Sequence, residues 1–221
     1  MRTESAFVGA VVVDSLPFSQ SGTAAQALAL RQAGAHALAG YLGAMNPARL
    51  SFILAAGMAY VPVTFAGEYE DGPNDEIGQL KALGIPSGTS VFLDLEGMKA
   101  FKTDPAALIA KINAWADGVS AAGFVPSLYV GVPQPLTSEE LWKLRVRGYW
   151  RGQGSIRDRS NALAEPSGCG WMMTQMFPSR NLGTPPTWVD CNMIGADYKG
   201  RTPAWVVADR LVSARSRALA M

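Results

Sequence analysis

The chain has 221 residues, 48% of them hydrophobic and 17% charged, and its 19 basic and 18 acidic side chains leave a formal charge of +1. That composition supports a sizeable buried core and excludes intrinsic disorder, while the near-neutral balance lacks the basic field of a nucleic-acid-binding domain. No run approaches the ~20 apolar residues needed to cross a bilayer.

In chain order, the apolar and β-branched residues 8–14 predict a first strand. The run is short, lacks a small-residue cleavage pattern and ends in Asp14, so it reads as core rather than as a signal peptide. Any export would use another route. Alanine-rich residues 23–33, with Gly34 behind them, predict a helix with a C-terminal stop. Residues 35–42 predict a second strand, with His36, the only histidine, in a structural role at its start. Pro47 opens a second helix, which Gly57 closes. Residues 58–65 predict a third strand, in which Pro62 suggests a bulge. Asn74 caps a helix with Asp75 and Glu76 in its first turn, and 84–88 form a return loop into a fourth strand at 90–96. Asp104 caps a long helix with Pro105 at its first position, and Gly123 ends it. A fifth strand at 124–130 and a short helix at 138–145 follow.

Five strand–helix units in a row predict a parallel sheet with helices outside. The pattern then changes. Residues 147–151, 171–177 and 188–194 predict three further strands, and 178–187 is too short and proline-rich for a helix. A final helix is predicted from Ala204 to the end, with Arg210, Arg215 and Arg217 on a solvated face. The expected fold class is α/β: a single degenerate (β/α) TIM-like barrel over residues 1–221, with five β/α units followed by three strands with few helices. The loop at 152–170 has the length typical of functional or mobile loops.

The run 90–96 is the most informative, because an apolar strand there ends in Asp94-Leu95-Glu96. Carboxylates two residues apart share one face of a strand. At the C-terminal tip of a barrel strand, that face opens on the active-site mouth. Asp14 ends the first strand, and Asp190 shares a face of the eighth with Asn192. Strands one and eight are neighbours in a closed barrel and strand four lies across it. Asp14, Asp94, Glu96 and Asp190 are therefore expected on one concave surface. Like charges held together raise at least one pKa, which equips a carboxylic acid to donate a proton near neutral pH. Asp14 alone has a second reading, as a cap of the following helix. A single histidine argues against a multi-histidine zinc site and against a Ser-His-Asp triad. Cys169 and Cys191 have no metal spacing; they are either one disulfide between neighbouring strands or two free buried thiols.

Asp14, Asp94-Leu95-Glu96, Gln175 within Met173-Thr174-Gln175-Met176-Phe177, and Asp190-Cys191-Asn192, in this order and spacing, resemble the family 25 glycoside hydrolases, the lysozyme-type muramidases. The resemblance spans residues 8–194 and includes the five-plus-three organisation. Residues 72–97, with Leu83-Gly84-Ile85-Pro86-Ser87-Gly88, are also similar to glycoside-hydrolase-like barrels of unknown function in bacteria and their phages. Those barrels often carry the Asp without the full pair; this chain keeps Glu96. It departs from the family in having Thr174 and Met176, not an aromatic, beside Gln175, and in showing no recognisable wall-binding module.

The resemblance implies that Glu96 protonates the glycosidic oxygen. It gives the nucleophile role to the substrate's acetamido oxygen, with Asp94 orienting or stabilising it. Asp14 and Asp190 would hold the positive character of the transition state and keep Glu96 protonated. Asn192 and Gln175 would hydrogen-bond within the cleft. Tyr41, Tyr129 and Trp150, near the ends of strands two, five and six, are candidate sugar platforms, with ordinary barrel packing as the alternative. The implied substrate is the β-1,4 muramic acid linkage of peptidoglycan, at a bacterial wall reached by lysis or from a phage particle, and no metal or cofactor is implied. Two other readings remain open. One is a non-catalytic barrel subunit of a phage virion, tail or cell-surface assembly, with other virion or tail proteins as partners and polysaccharide as ligand. The other is a hydrolase binding Mg²⁺ or Ca²⁺ through Asp94, Glu96, Asp190 and Asn192.

Overall fold

The computed structural model describes residues 1–65, 74–95, 104–131, 136–152 and 169–209. Its elements are β1 (Arg2–Ser5), β2 (Val11–Asp14), α1 (Leu16–Ser21), α2 (Ala24–Gln32), β3 (Ala37–Tyr41), α3 (Pro47–Ala55), β4 (Ala59–Phe65) and α4 (Asn74–Ala82). They continue as β5 (Ser90–Asp94), α5 (Pro105–Ala121), β6 (Val125–Val130), α6 (Ser138–Trp142), β7 (Tyr149–Arg151), β8 (Met173–Leu182), β9 (Thr187–Ile194) and β10 (Ala204–Val207). The sheet order is β1-β10-β4-β3-β2-β9-β8-β7-β6-β5, and a further β4–β5 pairing closes strands β2 to β9 into a barrel. This is the expected degenerate α/β barrel.

The barrel is mixed. β2 to β8 run parallel to their neighbours, and β9 is antiparallel to both β8 and β2. The reason is the connection. Parallel neighbours need a long crossover, whereas β8 turns directly into β9 through residues 183–186.

Side-chain alternation divides the core into two layers. Val12, Ala39, Val61, Phe92, Tyr129, Trp150, Met173 and Ile194 fill the barrel interior. Val13, Leu38, Tyr60, Leu93, Leu128 and Cys191 face outward and pack with the helical residues Leu30, Ile53, Leu108 and Ile112. Alanines on β3 and β4 (Ala37, Ala39, Ala59) leave the interior volume taken by Phe92, Tyr129 and Trp150 from the other side. On the outside, Gly40 admits a neighbouring ring: a Cβ there would lie 2.8 Å from Tyr60 Cε2.

Several elements form where local chemistry places them. Thr23 caps α2 in a reciprocal capping box with Gln26, Asn46 caps α3 ahead of Pro47, and Asp104 caps α5 ahead of Pro105. Asp104 Oδ1 accepts from the Ala107 N–H at 3.1 Å. Asp104→Ala should therefore lower stability by about 1 kcal/mol, read as a shifted urea midpoint with unchanged slope.

Other expectations are corrected. The first barrel strand begins at Val11, not residue 8, because Gly9 turns with φ +86°. β1 and the short helix α1 were not anticipated. Residues 204–207 form β10, not the start of a helix: they pair with β1 and, through Val206, with Tyr60 of β4. β10 also brings Trp205, 5% exposed, against the interior cluster. Pro62 causes no bulge; the β3–β4 register is continuous through Gly40↔Pro62. Its missing N–H falls where the other edge of β4 changes partner, from β10 at Tyr60 to β5 at Val63. The predicted loop at 178–187 is largely strand, since β8 and β9 extend as an arm with a register shift between Met176 and Arg180.

His36 plays a structural part, its Nδ1 accepting from the Val11 N–H at 3.1 Å. Cys169 and Cys191 are both free and buried. Among the described residues, no helix is long and apolar enough to cross a membrane. Glu96, residues 153–168 of the predicted long loop, and Arg210, Arg215 and Arg217 lie outside the described residues.

Candidate active site at the barrel mouth

The interior residues have neighbours two positions further along their strands, at the open end of the barrel. From Val12 this is Asp14, from Ala39 Tyr41, from Phe92 Asp94 and from Met173 Gln175. On β9, which runs the other way, the corresponding steps from Ile194 lead to Asn192, then Asp190. Alternation alone thus brings five of the polar positions expected from the sequence, and Tyr41, to one rim.

Register fixes which of them meet. Asp14 of β2 is the direct partner of Asp190 of β9, and Asn192 of β9 is the direct partner of Gln175 of β8. On the far side Asp94 of β5 pairs with Tyr129 of β6 and Phe65 of β4. Side chains directly opposite in an antiparallel pair lie about 5 Å apart at Cβ. Asp14 and Asp190 are thus adjacent carboxylates, each with its own donor. Asn192 Nδ2 donates to Asp14 Oδ2 at 2.7 Å, and the Ser179 hydroxyl donates to Asp190 Oδ1.

Asp94 is 1% exposed, and the Tyr41 hydroxyl donates to its Oδ2 at 3.0 Å. An ionised carboxylate covered to this extent needs such donors. Asn192, grouped with cleft-lining residues on sequence grounds, is likewise 1% exposed, and both ends of its amide are used inside the protein. Its Nδ2 also donates to the Val12 carbonyl at 3.1 Å, and its Oδ1 accepts from Trp150 Nε1 at 2.9 Å. This orients Asn192 towards Asp14. Gln175 is half-buried, and its Oε1 accepts from the Tyr129 hydroxyl at 2.7 Å.

The three aromatics separate by burial. Trp150 and Tyr129 are 3% and 7% exposed, with ring centroids 4.4 Å apart, and Phe92 meets Trp150 edge-on. Both are packed within the barrel and act through their polar atoms. Tyr41 is half-buried and borders the cleft. That cleft, about 230 Å³, is lined by Asp14, Leu16, Tyr41, Trp188 and Asp190, among others. A larger depression, about 660 Å³, lies where β5 and β6 begin, bordered by Ser90, Val125, Arg147 and Arg201. It holds none of the acids. Among the described residues, no group of three His, Cys, Asp or Glu could hold a metal ion.

Two residues at this rim were not singled out from the sequence. Ser179 meets Asp190 because Met176 pairs with Cys191 and Arg180 with Val189, so residues 177–179 stand opposite Asp190 alone. Such bulges re-aim side chains beside active sites. No spacing rule would have found it, although Pro178 is a marker of the irregularity. Trp188 was visible in principle, two residues before Asp190 on the same face of its strand.

The fold, an interior-filled mixed barrel with acidic residues at its open rim, is similar to that of solved lysozymes and muramidases, one of them a glycosyl hydrolase 25. Among solved structures, the bacterial lysozyme from Streptomyces coelicolor superposes with a TM-score of 0.58 at 14% identity, covering 86% of this chain and 94% of that one. A muramidase from Trichobolus zukalii gives 0.58 at 12% identity, covering 86% and 95%. The Tat-secreted protein Rv2525c of Mycobacterium tuberculosis gives 0.61 at 14% identity, covering 90% and 100%. No protein-family model and no curated protein sequence matches the chain.

Proposed function

We propose that this chain is a cell-wall glycoside hydrolase that cleaves β-1,4 muramic acid linkages of peptidoglycan. The observation that carries the reading is the meeting of Asp14 with Asp190 across β2 and β9, which are distant in sequence, and of Gln175 with Asn192 across the β8–β9 hairpin. These are the residues, in the order, that resemble the muramidase pattern. The likeness to lysozyme and muramidase folds supports it.

In this mechanism Glu96, two residues beyond Asp94, gives its proton to the leaving sugar oxygen. Asp94, held by Tyr41, orients the acetamido group whose oxygen attacks the anomeric carbon as the glycosidic C–O bond breaks, and water then adds at that carbon and reopens the ring to give the new reducing end. Asp14 and Asp190 face the positive charge that develops on the ring. Their fixed donors, Asn192 and Ser179, keep them from turning away as that charge forms. Tyr129 holds Gln175 at the rim of the barrel. Access to the wall through lysis, or from a phage particle, belongs to the same proposal.

The test is a turbidity assay on purified cell walls, with reducing-end release and mass spectrometry of the fragments. The proposal expects clearing, new reducing ends and fragments ending in muramic acid. Binding to walls without reducing ends would replace it with a polysaccharide-docking barrel. Activity abolished by a chelator would replace it with a metal-dependent hydrolase.

A further inference from the structure

Trp188 is 56% exposed and Leu16 is 47% exposed, and both border the cleft that contains Asp14 and Asp190. Leaving an indole in water forgoes favourable burial of apolar surface. Here the exposure is built in. The Ser15 hydroxyl donates to the Trp188 carbonyl at 2.8 Å while its oxygen accepts from the Phe18 N–H, so one side chain ties β9 to the start of α1. At the far end of the arm, Gly183 lies against α2, where a Cβ would come within 2.8 Å of the Ala29 Cβ. Anchored at both points, the arm holds Trp188 on the face of β9 that carries Asp190 and Asn192, one step further out.

The cleft therefore has two chemistries. One part is apolar, from Trp188, Leu16 and Pro17; the other is acidic, from Asp14 and Asp190. A pyranose matches both, with a C–H face for the indole and hydroxyl donors for carboxylates. An N-acetyl methyl group suits the leucine.

We propose that Trp188, with Leu16, is the platform that binds an N-acetylated hexosamine ring beside the Asp14–Asp190 pair. This rests on the wall-hydrolase reading and adds the residue that grips the sugar. Trp188 is a binding residue and takes no part in proton transfer.

The test compares the wild-type chain with Trp188→Ala and Trp188→Phe. Calorimetric titration with N-acetylglucosamine oligomers gives binding, and the wall assay gives kcat and KM separately. Trp188→Ala is expected to weaken oligomer binding and raise KM about tenfold, equivalent to about 1.4 kcal/mol, with kcat within about twofold. Trp188→Phe should recover most of the loss, which a folding defect would not predict. If the wild type clears walls and Trp188→Ala has the same KM and affinity, the platform is wrong and the hydrolase reading stands. If the wild type binds oligomers without cutting walls and Trp188→Ala loses that binding, the platform stands and the hydrolase reading fails. A wild type that neither binds nor cuts overturns both.

Discussion

Glu96→Gln is expected to leave the chain folded and to reduce wall lysis by about 10²- to 10⁴-fold, the usual contribution of a positioned general acid. The amide keeps the size of the carboxyl group and removes the acidic proton. Asp94→Asn should also impair lysis, because it replaces a carboxyl oxygen with an amide nitrogen in a side chain that is 1% exposed and held by Tyr41. Tyr41→Phe removes only one hydrogen bond to Asp94 and should cost less than either. The measurement is the initial clearing rate on purified walls, with circular dichroism to verify the fold. A Glu96→Gln chain that clears walls at the wild-type rate eliminates Glu96 as the acid.

Asp197→Ala is expected to destabilise the protein by about 2 kcal/mol, the scale for leaving hydrogen-bond donors without their acceptor. Asp197 is 4% exposed and organises the connection from β9 to β10. Its Oδ1 accepts from the N–H groups of Lys199 and Arg201, and its Oδ2 accepts from Arg201 Nε at 2.7 Å. Without the carboxylate these donors lose their acceptor, and the segment that delivers Trp205 to the barrel interior loses its anchor. Burial alone would raise the Asp197 pKa, but the hydrogen bonds and charge of Arg201, with the Lys199 N–H, outweigh it and hold the group below its ordinary value. A carboxylate depressed on folding stabilises the protein above its unfolded pKa, near 4, and loses that contribution as pH falls through the folded value. The stability gap between wild type and Asp197→Asn should thus be constant at neutral pH and narrow below about pH 4. Urea titrations across that range measure it; a gap that widens on acidification would contradict the assignment.

Sequence spacing located the strands that carry Asp14, Asp94, Gln175 and Asp190 because each ends or lies in a short apolar run with an unambiguous period. It located α3 and α5 because Pro47 and Pro105 sit at first helical positions beside good capping residues. It failed at β10, where Ala204-Trp205-Val206-Val207 has no helical or alternating signature of its own and becomes a strand by pairing with β1 and Tyr60. It failed again across 178–187, where Pro178 and Pro185 mark irregular backbone but not an arm. Asn192 was legible as a neighbour of Asp190, yet its hydrogen bond to Asp14 spans most of the chain and follows only from the β2–β9 register.

Composition, alternation and capping chemistry were enough to specify a wound α/β barrel and the strand face on which Asp14, Asp94 and Asp190 stand. Those are short-range properties, set by sterics and polarity within a few residues. Which acids touch, which aromatics are sealed inside and which one is left at the rim depended on closure of the ring, on the antiparallel return of β9 and on a bulge that turns Ser179 inward. Those arise from contacts between distant segments, where packing and pairing override local preference.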